Sequence, residues 1–400
     1  MTWATVKLGE LLNDAILFTD GDWVESKDQD ADGEIRLIQL ADIGDGVYVN
    51  KSARFMNSAA FSRLRCTEIM RGDILLARMP DPLGRCCIFP GDEKKSVTVV
   101  DICIIRPNVN KVNTKWLSHI LNSPLIRGQI AGFARGATRV RISRKDLSKL
   151  TLPLPPLLEQ QRIAAILDKA EEIKRKREQA IAKLDELAQS TFVEMFGDPL
   201  TNELELPTAK LEEITIKITD GEHLNPKFTE HGMPIVMAGN VLENDVELSL
   251  AKKVSTEDGH KFRKKCKPEK YDLLLVSRGA TIGRMTIVNS SDEFCLMGSV
   301  ILIKVNLDKV NPIYLTTLLK FPHMRSALYK TSGSSAQQAI YLKDLKNQTC
   351  LLPDIHNQNK FGEKIKSINS ARKLHIQALH QSSNLSSSLQ NQAFTTGFNA

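Results

Sequence analysis

The chain has 400 residues, 42% hydrophobic and 25% charged, too long for one average domain and apolar enough to bury two or three cores. Its formal net charge of +7 favours an anionic partner, nucleic acid before membrane. No apolar run reaches the ~18 residues of a membrane span and the first residues lack the basic-then-apolar order of a secretory leader, so the expected setting is the cytoplasm.

The segments repeat. Lys7-Leu-Gly-Glu-Leu11 returns as Lys210-Leu-Glu-Glu-Ile214, Asp20-Gly21 as Asp220-Gly221, and Gly84-Arg85-x-x-Ile88 as Gly283-Arg284-x-x-Ile287. Asn122-Ser-Pro-x-x-Arg127 is echoed by Lys320-Phe-Pro-x-x-Arg325, and Asp146-Leu147 by Asp344-Leu345. The offsets drift only from 203 to 198 residues and the order is kept, as expected of a diverged duplication. A period this long makes each unit a complete domain plus a connector.

In chain order, each unit opens with short apolar runs broken by Gly, Asp and Asn. Their length and β-branched content predict strands at 74–77 and 97–105 in the first copy and at 273–276 and 300–305 in the second. Helical segments over 116–126 and 314–328 complete an α/β (α+β) globule in each copy. Leu152-Pro-Leu-Pro-Pro156 then presents proline at a helix start. Beyond it Ile163, Ile166, Ala170, Ile173, Arg177, Ala180, Leu184, Leu187 and Thr191 step by three and four, a heptad seam that should stop near Phe196-Gly-Asp-Pro199. After Leu351-Leu-Pro-Asp354 the second copy offers Phe361, Ile365, Ile368, Ala371, Ala378, Leu385 and Leu389 in a more serine-rich stretch. Two helices of ~35 residues and ~50 Å can pair antiparallel as an intramolecular coiled coil about a pseudo-two-fold axis. The expected layout is globular domains at 1–152 and 199–352, followed by helices at 153–198 and 353–400.

Specific words within this layout resemble the specificity subunit of Type I restriction-modification systems. They are Gly136-Ala-Thr-Arg139 with Asp146-Leu147 and Leu152-Pro-Leu-Pro-Pro-Leu-Leu-Glu-Gln-Gln-Arg-Ile163, Ser332-Gly-Ser-Ser-Ala-Gln-Gln-Ala-Ile340, and Asp272-Leu-Leu-Leu-Val-Ser-Arg-Gly-Ala-Thr-Ile-Gly-Arg284. The second junction departs from the first, with Asn357-Gln358 for Glu159-Gln160 and Asp354 for a proline. The resemblance implies a non-catalytic reader of a split, asymmetric site in double-stranded DNA. It implies two methyltransferase subunits using S-adenosylmethionine and two restriction subunits using ATP and Mg, with no cofactor on this chain.

The chemistry-bearing residues agree with a reader. Neither an Asn/Asp-Pro-Pro-aromatic methyltransferase motif nor a Gly-x-x-x-x-Gly-Lys phosphate loop is present. Pro80-Asp81 with Glu93-Lys94-Lys95 fits a loose nuclease pattern, but the second copy has Gly279-Ala280 there and the pattern is degenerate. The seven cysteines, Cys66, Cys86, Cys87, Cys103, Cys266, Cys295 and Cys350, never form Cys-x-x-Cys and read as buried thiols. No histidine cluster suggests a metal. DNA contact should fall to basic and amide side chains, lysine and arginine on phosphates and arginine, asparagine or glutamine on base edges. The candidates are Arg135, Arg139, Arg141, Arg144 and Lys145, with Lys330, Gln337, Gln338 and Lys343 as their counterparts. Arg78 and Arg85 are matched to Arg278 and Arg284, and Lys261, Arg263 and Lys264 form a further group. A coiled-coil scaffold that assembles partners without reading DNA is the alternative from another class.

Overall fold

The computed structural model describes residues 3–80, 82–136, 140–243, 245–330 (the Lys330 side chain excepted), 339–395 and 397. It divides into two compact units, Met1–Arg177 with Gln377–Ala400, and Glu178–Ile376.

The first unit runs β1 (Thr5–Lys7), α1 (Leu8–Leu11), β2 (Leu17–Asp20), β3 (Ile35–Ile38), β4 (Phe55–Met56), α2 (Ser58–Leu64), β5 (Ile74–Ala77), β6 (Cys86–Ile88), β7 (Ser96–Thr98), β8 (Ile102–Arg106), α3 (Thr114–Asn122), α4 (Pro124–Phe133), α5 (Arg144–Leu147), β9 (Thr151–Pro153) and the start of α6 (Leu157–Phe196). Strands β2, β8, β5 and β6 form an antiparallel sheet in that order. A smaller sheet, β4-β3-β7, pairs β3 with β7 in parallel. Strands β1 and β9 form a two-stranded clasp.

All four residues of β5 are buried because its sheet is covered on both faces. Ile74 and Leu76 pack with Trp116, Ile120 and Ile126, whereas Leu75 and Ala77 pack with Ile38 and Phe89. Period-two alternation deals one apolar run into two cores, which is why it reads as continuous. Leu75→Ala should cost about 2–5 kcal/mol.

The second unit repeats the plan with β10 (Thr208–Lys210), β11 (Thr215–Asp220), β12 (Phe228–Thr229), β13 (Met233–Val236), β14 (Lys252–Val254), α7 (Thr256–Lys265), β15 (Leu273–Val276), β16 (Met285–Ile287), β17 (Cys295–Leu296), β18 (Val300–Val305), α8 (Pro312–Lys320), α9 (Pro322–Lys330), α10 (Leu342–Lys346), β19 (Thr349–Leu351) and the start of α11 (Ile355–Thr395). Its larger sheet is β11-β18-β15-β16, its smaller one β12-β14-β13-β17, and β10 pairs with β19.

Two expected elements divide. The 97–105 run is two strands in different sheets, β7 and β8, because residues 99–101 turn between them. The 116–126 and 314–328 helices each break at a proline. Pro124 and Pro322 force Ser123 and Phe321 into extended backbone (ψ 153 and 140), ending one helix and starting the next.

Helix α6 ends at Phe196, where Gly197 takes φ +73 and its N–H donates to the Val193 carbonyl at 2.8 Å. Both long helices contribute to each unit. In the first, Ile163, Ala164 and Leu167 of α6 share a core with Ala393 and Phe394 of α11, and Leu389 packs beside them. In the second, Phe192 and Phe196 pack on Tyr314, Phe361 and Ile365, with Phe192 stacked on Tyr314 at 5.3 Å. Within each unit, therefore, the start of one long helix packs in the same core as the end of the other.

The seam differs in part from its expected course. Ile163, Phe361 and Ile365 are buried, and Ile166, Ala170, Ala180, Leu184, Ile368, Ala371, Ala378 and Leu389 are half-buried. Ile173, Leu187 and Leu385 face outward, 41%, 48% and 58% exposed. The inward positions near them are Leu167, Ile181, Ala188, Leu379 and Ser382. The expected seam is buried where the helices dock, at Ile163, Phe361 and Ile365, and gives way to neighbouring positions between the docked ends.

Candidate nucleic-acid interface

In both units the chain crosses between the two sheets at the repeated Asp-Gly. A Cβ on Gly21 would lie 2.3 Å from the Val99 carbonyl oxygen, and one on Gly221 2.2 Å from that of Leu296. Only glycine fits such an approach. The following residue is pinned alike, with Asp22 N–H donating to Thr98 and Glu222 N–H to Leu296, both at 2.8 Å.

The acid before that glycine holds a cation in each unit, but a different one. Asp20 pairs with the Arg78 guanidinium at 3.3 Å, whereas Asp220 pairs with His223 at 2.6 Å and Lys265 at 3.1 Å. Burial pushes the Asp220 carboxyl up, but His223 and then Lys265 outweigh it and hold the group below its usual value. Burial also pulls the Arg78 guanidinium below its ordinary value, against the attraction of Asp20.

Arg78 does not correspond to Arg278. The Arg78 N–H donates to Asp101 and its carbonyl accepts from Ile142, and Ser277 repeats this pair with Ser299 and Ile340. Arg278 is one residue further along and so points to the opposite face, exposed where Arg78 is buried.

Two more expected DNA contacts are internal struts. Arg85 is 7% exposed, and its guanidinium donates to the carbonyls of Ile43 (2.6 Å), Leu40 (2.9 Å), Pro82 (3.1 Å) and Met79 (3.3 Å). Arg263 is 8% exposed and donates to the Phe294 carbonyl and the Glu293 carboxylate. With Arg78, these side chains are corrected from DNA contacts to parts of the core, because irregular chain left carbonyls there that needed donors. Arg284 keeps a weaker version of the Arg85 contact, to the Val241 carbonyl at 3.3 Å.

The basic segment before α5 is outward. Arg135 and Arg141 exchange backbone hydrogen bonds at 3.1 and 2.9 Å; Arg139, between them in sequence, lies outside the described residues. Arg135 and Lys145 are exposed, Arg141 meets Asp101 at 2.9 Å with its side chain 40% exposed, and Arg144 donates to the Phe18 carbonyl. In the second unit Lys261 and Lys264 are exposed on α7 and Lys343 on α10. Gln337 and Gln338 lie outside the described residues, as do the Lys330 side chain and Asp81 of the nuclease-like pattern.

Beside the Arg141–Asp101 pair is a crevice of about 280 Å³ lined by residues including Trp23, Gln39 and Asp101. None of these stood out in the sequence. Their signal is position: Trp23 follows the repeated Asp-Gly by two residues, and Gln39 directly follows β3. Among the described residues no three His, Cys, Asp or Glu side chains converge as a metal site, and no helix is long and apolar enough to cross a membrane.

A family model for the Type I restriction modification DNA specificity domain matches residues 1–183 and again residues 208–380. The type I restriction enzyme EcoBI specificity subunit of Escherichia coli is 26% identical over 323 residues, covering 73% of this chain and 67% of that protein. The putative type I restriction enzyme MjaX specificity subunit of Methanocaldococcus jannaschii is 22% identical over 326 residues, 75% of this chain and 72% of that one. In fold, the chain is similar to the Type-I restriction-modification system S subunit from M. genitalium, with a TM-score of 0.58 at 14% identity over 98% of this chain and 96% of that one. A chain solved for complex assembly and conformational transition of the type I R-M system gives 0.52 at 19% identity, over 99% and 98%.

Proposed function

The chain belongs to the family of the Type I restriction modification DNA specificity domain, which it carries twice, and from that premise we propose that each unit reads one half of a split, asymmetric site in duplex DNA. The chain is a DNA sequence-specificity subunit of a Type I system. The observation that carries the two-half reading is the duplicated fold with different side chains at its outward positions, such as Arg278 where the first unit has Met79. Arg135, Arg141 and Lys145, with Lys261, Lys264, Arg278 and Lys343, supply phosphate contacts; Arg139, Gln337 and Gln338 belong to the same set.

The chain positions chemistry carried by others. Two methyltransferase subunits bring S-adenosylmethionine, and two restriction subunits bring ATP and Mg. The assembly works in the cytoplasm, where the host DNA lies.

The test is an exchange. Residues 1–150, together with 377–395 that complete their core, are replaced by those of another family member. Mapping of methylated DNA should show one half-site changed and the other kept. A change in both halves, or in neither, would overturn the reading.

A further inference from the structure

The two units repeat their scaffold far more faithfully than one group of side chains mounted on it. Gly21, Gly84, Arg85 and Gln160 return as Gly221, Gly283, Arg284 and Gln358. The backbone around the crevice is repeated as well: Arg78 N–H to Asp101 and Ser277 N–H to Ser299 are both 2.9 Å, and β3–β7 and β13–β17 pair in the same parallel register. Yet Trp23 gives way to His223, Gln39 to Met237, Asp101 to Ser299 and Arg78 to Ser277. A frame held constant under replaced side chains is the arrangement expected where two copies must discriminate different ligands.

The first unit shows what such a position offers. The Gln39 backbone is fixed, its N–H donating to Asp42 Oδ2 at 2.7 Å and the next carbonyl receiving Arg85 at 2.9 Å. Its side-chain Nε2 is buried and has no hydrogen-bond partner. A buried donor without a partner is costly, and a ligand that accepts from it relieves that cost. Trp23 lines the same crevice, 67% exposed, and Asp101 of its wall carries the Arg141 guanidinium at 2.9 Å.

We propose that this crevice is where the first unit reads base edges, with the Gln39 amide paired to an adenine through its donor and acceptor and Trp23 against the neighbouring base. Glutamine matches the adenine N6 and N7 pattern in the major groove. The proposal rests on the DNA-reading assignment above. The equivalent place in the second unit, with His223 and Met237, reads a different base pair.

The experiment uses the full chain assembled with its methyltransferase partner and a randomised duplex library. The parent should enrich a split motif. Gln39→Met, which installs the second unit's residue without loss of volume, should relax one A·T position in one half-site by roughly ten- to hundred-fold and leave the other half intact. Trp23→His, on an exposed position, should alter preference in the same half. An unchanged motif in both variants overturns the crevice as a reader while leaving DNA specificity standing, as does relaxation at a G·C pair. Loss of all binding in both variants with an unaltered melting temperature also counts against it, since one base contact does not carry the phosphate-derived affinity. A parent that enriches nothing brings down the DNA-reading assignment itself.

Discussion

The side chain of Gln160 accepts a hydrogen bond from the Asn113 backbone N–H at 2.8 Å, and its amide donates to the Pro155 carbonyl at 2.9 Å. Gln358 makes the same two bonds with Asn311 and Pro353, at 2.9 and 2.8 Å. Both glutamines are buried, so each fastens the first turn of a long helix to the start of the helix behind it. Gln160→Ala should leave a buried donor and a buried acceptor unpaired and cost about 2–4 kcal/mol. Gln160→Glu should also destabilise, because a carboxylate still accepts from Asn113 but faces the Pro155 carbonyl without a proton to give. A lower urea midpoint for both variants is the expected reading; an unchanged midpoint in either would show the clip to be idle.

Arg85 and Arg135 should separate cleanly. Arg85→Lys loses the fork that reaches several carbonyls and should destabilise the first unit by about 2–4 kcal/mol. Arg135→Ala should leave melting unchanged, weaken DNA binding and flatten its dependence on log salt by about one unit. Calorimetry beside a salt titration of binding checks both, and a reversed pattern would return Arg85 to the DNA surface.

Thiol reactivity offers a test of the cores. All seven cysteines are buried. Burial pushes Cys86, Cys87, Cys266 and Cys350 up to about 12 and Cys66 and Cys295 up to about 11. The folded chain at pH 8 should react slowly with a disulfide reagent, and all seven should react in denaturant. Rapid labelling of any one in the folded state would contradict the packing around it.

Acid should loosen the second unit in a defined window. Lys267 and then Lys304 hold the Glu269 carboxyl down at about 2, below its usual 4.5. A depressed carboxyl contributes stability above its unfolded value and loses it as pH falls through the folded one. The contribution therefore fades between pH 4.5 and about 2. Glu269→Gln should lower the melting temperature modestly at pH 7 and have no effect near pH 2; an equal effect at both would exclude the ion pairs as its cause.

The repeat was legible because its glycines and prolines answer to backbone geometry. Gly21 and Gly221 sit against a carbonyl, and Gly84 and Gly283 both take φ +79. The destination of a charge was not legible. Arg85 and Lys145 look alike in a sequence, and only the carbonyls of residues 40, 43, 79 and 82, converging where the chain is irregular, take one of them inward. Arg78 and Arg278 were matched by type, but strand alternation separates neighbours onto opposite faces, so a slip of one residue exchanged core for surface. The seam was legible in its period but not at every position: Ile163 is buried as its place in the seam requires, whereas Ile173 and Leu187 are equally apolar and face outward, and the core at the end of the helix is filled by Phe192 and Phe196.

Removing the Phe394 ring should weaken the first unit although it lies far along the chain. Phe394→Ala should cost about 3–5 kcal/mol. Hydrogen exchange should show lost protection in β5 and β8 and none in β15 and β18.

That same ring sets an order of events at the ribosome. The second unit is complete once Ile376 has emerged, whereas the first still lacks Ala393 and Phe394. The half that is translated first is thus finished last, its apolar face waiting through the synthesis of a whole further domain. A product that stops before residue 393 therefore carries a first core without two of its buried side chains.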